Sequence, residues 1–261
     1  MLNSPSSGRH AGGHASSSAK RGLQGAAFVV AGLLVPGAVL AGSFSVTPVR
    51  VYMQPRERAV AITVTNEGDT ELVMQAEVFE WKQKPDSTDD LTPTEDVVMA
   101  PPVLKLAPKS RQVLRLANLR PVLPGQQLTY RLLVREIPEA LPPAAGAQVQ
   151  VALAFSIPIF ITPADSKQRL TCTAPGKTAE VVSLACENLG QAYAQPVSFS
   201  LDSATGETLA SDNVTGGYIL PGMSRSFQIN RIAKGPLTGP AKLTVIQDDG
   251  SKLTFDVVLA D

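Results

Sequence analysis

Histidine is nearly missing from this chain. The two it has, His10 and His14, lie close to the N-terminus, within a segment read below as a removable leader. Without that leader no imidazole remains. This excludes Ser–His–Asp triads, His-ligated metals and imidazole acid–base catalysis. Cysteine is almost as scarce, with Cys172 and Cys186 alone and no CxxC, so a thiol redox centre is excluded too. Beyond the leader there is no G-x-S-x-G or S-x-x-K nucleophile motif. A hydrolase would have only carboxylates or an unmotivated Ser–Lys pair to work with. We read the protein as no enzyme, with no cofactor and no metal.

An excess of positive charge is lacking as well. Removing residues 1–41 takes Arg9, Lys20 and Arg21 and leaves 20 basic against 23 acidic residues, a net charge of −3. Phosphate binding needs a basic surface, so nucleic acid is not an expected partner. No segment after the leader is long and apolar enough to span a bilayer, and none has a helical period.

The leader itself is a polar, acid-free stretch (1–22) followed by a mostly apolar stretch (23–40). It ends in Val39-Leu40-Ala41, a small-x-small cleavage pattern. Pro36 and Gly37 interrupt the apolar run, which argues against a permanent anchor. The sequence therefore predicts a secretory signal peptide over 1–41 and an exported mature chain.

What remains is a succession of short alternating runs with turns between them. Phe44–Met53 is extended, Ala59–Asn66 alternates and stops at Glu67-Gly68-Asp69, Leu72–Trp81 follows, and Val97–Pro102 and Val103–Leu106 are short pieces further on. Lys82–Thr94 is polar and turn-rich, and reads as a loop. Gln112–Ala117, Leu128–Ile137 and Val149–Ile161 complete about seven strands, the number and spacing of an immunoglobulin-like sandwich. Thr162–Lys167 breaks the pattern as a linker, and a second series of strands and turns follows it, with Gly217–Leu220 read as one of the strands. The expected fold class is all-β, with two immunoglobulin-like β-sandwich domains in tandem over 42–163 and 164–261. Each is large enough to bury its own core. The cysteines fall where neighbouring hairpin strands would place them, as a disulfide or as two buried thiols.

The most informative run is Leu128–Phe160. In its second half Val149, Val151, Leu153, Phe155, Ile157 and Ile159 occupy alternate positions, so they line one face of a strand. The residues between are small or polar. Such a strand serves either as a core strand of its own sandwich or as an edge strand offered to another protein. Pro158 favours an edge, because proline donates nothing to a ladder. Trp81 reads as a packing residue and not as a site.

The ordered set S-V-T-P-V-R (45–50), T-N (65–66) and P-P-V-L-K-L-A-P (101–108), then Q-V-L-R-L (112–116), Y-R-L-L-V-R-E-I-P (130–138) and V-Q-V-A-L (149–153), resembles the PapD-like periplasmic pilus-assembly chaperones of the chaperone–usher route. The second domain matches mainly in pattern. The resemblance implies a periplasmic chaperone whose partners are pilus or fimbrial subunits and an outer-membrane usher. It implies that Val149, Val151 and Leu153, with Phe155 and Ile157 further along, form a donor strand that plugs an incomplete subunit. It implies a carboxylate anchor at Arg50, whose usual second base, a lysine, falls at Pro158 and is missing here. Arg115 and Glu136 match positions with a structural role at the domain junction, though a plain surface pair reads equally well. The exposed strand implies self-capping or a homodimer in the free protein. A structural subunit of a surface fibre is the alternative reading of the same sandwich pattern; two domains and no free alternating N-terminal tail argue against it.

Overall fold

The computed structural model describes residues 44–57, 59–138, 152–235 and 237–259. Among these there are strands and turns and no helix. The fold follows from the alternation: each strand buries every second side chain, so two layers must close on each other.

The first body is a sandwich. One sheet orders β1 (Phe44–Thr47), β3 (Val60–Asn66), β8 (Arg111–Asn118) and β6 (Val97–Ala100). The other orders β2 (Val51–Met53), β10 (Ala154–Ile161), β9 (Leu128–Glu136), β4 (Leu72–Gln83) and β5 (Asp89–Pro93), with β7 (Val103–Leu106) also on β4. Ile62, Leu114, Leu116, Leu104, Leu132, Val134 and Ile159 interleave between them, all essentially free of solvent.

Two expectations change in detail. The first extended run is split: β1 pairs antiparallel with β3, and after Pro48 the chain crosses to pair β2 parallel with β10. Pro48 has no N–H, so the first ladder cannot continue through it. The polar run after Trp81 is not all loop, because β4 runs on to Gln83 and β5 folds back against it. Long β4 carries an outer face that something else must cover.

The second body is one sheet, ordered β11 (Leu170–Lys177), β12 (Val181–Asn188), β15 (Ser224–Arg231), β14 (Thr208–Asn213), β13 (Pro196–Ser203), β16 (Gly239–Gln247) and β17 (Lys252–Leu259). It wraps around Leu184, Phe199, Leu201, Ile229, Leu243 and Val245. Cys172 and Cys186 sit directly opposite on β11 and β12 and form a disulfide, with their Cα atoms 4.1 Å apart. The run Gly217–Leu220, expected as a strand, makes a single bridge to Ala194 and presents Tyr218 to the junction.

Both bodies turn the same corner with the same residue. Asn66 ends β3 with its Nδ2 donating to the carbonyl of Thr70 and those of Leu106 and Ala107, while its Oδ1 accepts the Gly68 N–H. Asn188 ends β12 and repeats this with Ala192, Ile219 and the Gly190 N–H. An amide can donate and accept at one point, which neither Asp nor Leu can do. Gly190 is required beside it, because a Cβ there would lie 2.4 Å from the backbone of Lys167 and Arg169. Asn66→Ala and Asn188→Ala should each lower stability by about 2–4 kcal/mol, since buried partners lose their bonds. Urea unfolding measures this, and the Asp variants should fail to rescue it because they lack the Nδ2 donors.

Candidate functional site

The alternating stripe of β10 changes character along its length. Ile157, Ile159 and Ile161 are buried in the protein's own core. Phe155 and Leu153 are half-buried, packing at the open end of the sandwich, where Phe155 meets Phe44 edge-on with ring centroids 5.0 Å apart. Val149 and Val151, the start of the proposed donor segment, lie outside the described residues. The stripe therefore leads outward from the core through Phe155 and Leu153, while Ile157 is already committed inside.

The backbone of the same strand is half-paired. On one side β10 runs antiparallel to β9 from Ala154 to Ile161. On the other side β2 pairs only Ile159–Ile161. Among the described residues nothing pairs with Ala154–Pro158 on that side. The Glu136 N–H donates to the Leu153 carbonyl, so alternation along the ladder turns the N–H and C=O of Ala154 and Ser156 to the open edge. Pro158 stands opposite Arg131 at a position that owes β9 no N–H, which is why the ladder tolerates it.

Arg50 sits at the other pole of the site, just before β2. Its Nη1 reaches the hydroxyls of Tyr52 (2.9 Å) and Tyr193 (3.2 Å) and the Asp248 carboxylate. Its Nη2 donates to Gln195 Oε1 at 2.6 Å. Asp248, Gln195 and Tyr193 come from the second body, so the guanidinium ties the two bodies together. Burial works against the Arg50 charge, but the Tyr52 hydroxyl and the Tyr193 and Tyr218 phenols outweigh it and hold the group above its ordinary value.

Between Arg50 and the sheet lies an aromatic floor. Trp81, Phe160, Tyr218 and Leu220 are buried together, with Tyr193 stacked on Phe160 at 3.9 Å. Trp81 is thus a packing residue of the junction. Gln83 fastens the same seam, giving its Nε2 to the Tyr218 carbonyl and taking the Leu220 N–H. Arg131, directly across from Pro158, lays its guanidinium over Trp81 at 3.7 Å, and its carboxylate neighbour Asp89 is 3.5 Å away. Burial lowers its pKa, only partly offset by Asp89 and Tyr218. Arg50 and Arg131 both lie within 5.4 Å of the centre of the Tyr218 ring. The signal for Arg131 was in the sequence: in the antiparallel hairpin it is the partner of Pro158.

Arg115 and Glu136 are not brought together and neither is at the junction. Arg115 is exposed on β8, across from Ala61 and Ala100. Glu136 ends β9, roughly 26 Å from the junction end at Leu128 by strand rise, with its Oε2 buried and unpartnered. Among the described residues no cluster of His, Cys, Asp or Glu could hold a metal ion.

Two immunoglobulin-like sandwiches meet at this seam, and the first has an open edge strand. Residues 43–167 match the family described as "Pili and flagellar-assembly chaperone, PapD N-terminal domain". Over these residues, just under half of its length, the chain is similar to that family of pilus-assembly chaperones. It is similar to the probable fimbrial chaperone LpfB of Escherichia coli O157:H7, 28% identical over 139 residues. That match covers 52% of this chain and 56% of the relative, little more than half the length of each. A chain of the CsuC–CsuE chaperone–tip adhesion subunit complex of Acinetobacter baumannii aligns with a TM-score of 0.59 at 20% identity, over 83% of this chain and 98% of that one. A chain of the Salmonella enterica SafA pilin–SafB chaperone complex aligns at 0.54 and 18% identity, over 85% and 99%.

Three of the four tyrosines are held protonated. Burial, with the Asp96 carboxylate, raises Tyr130; burial, with Tyr52 and Asp248, raises Tyr193; burial raises Tyr218 against the pull of Arg50. A pKa raised in the folded state gives stability that is present below the unfolded value near 10 and lost as pH climbs through the folded one. At about pH 11 the native protein should show clearly less phenolate absorbance than the denatured chain, in which tyrosines titrate near 10. Equal absorbance would mean the junction is open to solvent.

Proposed function

We propose that this protein is a periplasmic chaperone that captures incomplete pilus subunits by lending them a strand. The observation that carries this is the unpaired edge of Ala154–Pro158 beside a stripe that runs from core to surface. The N–H and C=O of Ala154 and Ser156 extend the subunit's sheet. Leu153 and Phe155, continuing into Val151 and Val149, fill the groove its missing strand leaves. Each side chain so buried contributes about 1.5–3 kcal/mol before ordering costs. Ile157 stays with its own core and fixes where the donated segment begins.

Arg50 receives the subunit's C-terminal carboxylate in the cleft, and Arg131 stands in for the base that Pro158 displaces. The leader 1–41 is cleaved on export, so the periplasmic protein begins at Gly42. The loaded chaperone delivers its subunit to an outer-membrane usher. Before loading, self-capping or a second copy covers the edge. In this reading the subunit-bound chaperones among its structural neighbours illustrate the kind of complex this chain forms.

Co-expression with a pilus subunit encoded beside the chaperone tests the reading. Wild type should yield a soluble complex. Leu153→Glu should cut its recovery at least about tenfold, because a carboxylate would be forced into an apolar groove. The half-buried position should cost the free chaperone only about 1 kcal/mol, leaving its circular dichroism unchanged. An undiminished complex would remove β10 from the interface.

A further inference from the structure

The Arg50 guanidinium is already matched by a carboxylate of the same chain. Its Nη1 has two protons and three acceptors around it: Tyr52, Tyr193 and Asp248. Its Nη2 spends one proton on Gln195. The Nε–H and the second Nη2 proton have no partner among the described residues, so a further acceptor can still dock. The group remains within reach, with 24% of its side chain exposed against 13% for Asp248.

Asp248 is not a stray surface acid. Its backbone N–H donates to the Gln195 carbonyl at 3.0 Å, and the Gln195 N–H donates to Gln247 Oε1 at 3.1 Å. The Tyr193 hydroxyl donates to its Oδ2 at 3.0 Å. The turn after β16 is thus built to hold this carboxylate against Arg50. An arriving carboxylate meets a neutral pair: attraction to the guanidinium is opposed by repulsion from Asp248 at similar range.

We propose that Asp248 is a built-in substitute for a partner's α-carboxylate. It holds Arg50 while the cleft is empty and weakens the cleft's grip on any carboxylate that does not also bring contacts elsewhere. A free peptide end then binds poorly at Arg50, whereas a subunit that also engages the β10 edge can displace or share the contact. Asp248 is in this sense a specificity residue. The inference rests on the reading of Arg50 as a carboxylate anchor.

The test uses the full exported chain and two small probes, acetylglycine, which has a free carboxylate, and acetylglycinamide, which has none. Binding is read from the Arg50 Nε–H resonance in wild type, D248N, D248E and the double variant R50Q/D248N, the last followed through backbone amides around Tyr52. Removing the competing charge should tighten acetylglycine at least about tenfold in D248N, a loss of repulsion of ordinary Coulombic size. Acetylglycinamide should be unaffected, D248E should behave as wild type, and the double variant should lose the gain. Asp248→Ser, run in parallel, removes the charge by a second route if D248N disturbs the fold. Equal or weaker acetylglycine binding without the charge overturns the proposal, as does an equal gain for both probes. If acetylglycine reaches Arg50 in no variant, the anchor itself falls. The donor-strand reading is judged apart, by the Leu153→Glu co-expression.

Discussion

A sheet edge cannot be left bare beside an apolar stripe without something to cover it. In this protein that constraint falls on five residues, Ala154–Pro158. Their inner side is satisfied by β9, but β2 reaches only as far as Ile159. The missing pairing follows from the crossover at Pro48, which places β1 in one sheet and β2 in the other. The opening is therefore set by topology, and it does not depend on one loop's position. Unpaired strand edges normally invite aggregation. A chaperone that uses such an edge turns the hazard into the binding surface.

The second body gives that edge a fixed frame. Gln83, Trp81, Phe160, Tyr193 and Tyr218 make a junction in which aromatic faces are buried and the backbone groups of Tyr218 and Leu220 are bonded across the seam. Arg50 belongs to this junction, because its partners come from both bodies. Under the proposed function, a partner's end group would be read at a point where the two sandwiches meet. Under the same proposal, rigid placement of both poles, the edge and the cation, would let one strand be donated in a single register.

Much of the architecture was legible because alternation is a strong signal. The strands around Ile62, Leu132 and Leu201 and the all-β class follow from period-two patterns and turn residues, whereas the spacing of Cys172 and Cys186 fitted a disulfide or two buried thiols and only the structure pairs them. Two things were not legible. The split at Pro48 depends on which sheet each half joins, a long-range choice that local pattern does not encode. The extension of β4 to Gln83 with β5 against it is polar on the surface, so its strand character comes from pairing and from the second body covering it. For the site, Arg50 was identified by resemblance. Its partners Asp248, Tyr193 and Gln195 lie more than a hundred residues away and carry no local motif. Arg115 and Glu136 matched by sequence but stand apart, since their strands run through different sheets. Ile157 belonged to the same stripe as Leu153, and only the three-dimensional taper of burial separates their roles.

Hydrogen exchange at the Ala154 and Ser156 amides separates strand donation from capture by any other surface. Ala154 and Ser156 point their N–H groups to the open edge, so in the free monomer both should exchange quickly despite lying in a strand. In a complex with a pilus subunit both should become strongly protected, together and at the same subunit concentration. Exchange that stays fast in a stable complex would contradict strand donation, because the subunit would then be held by some other surface.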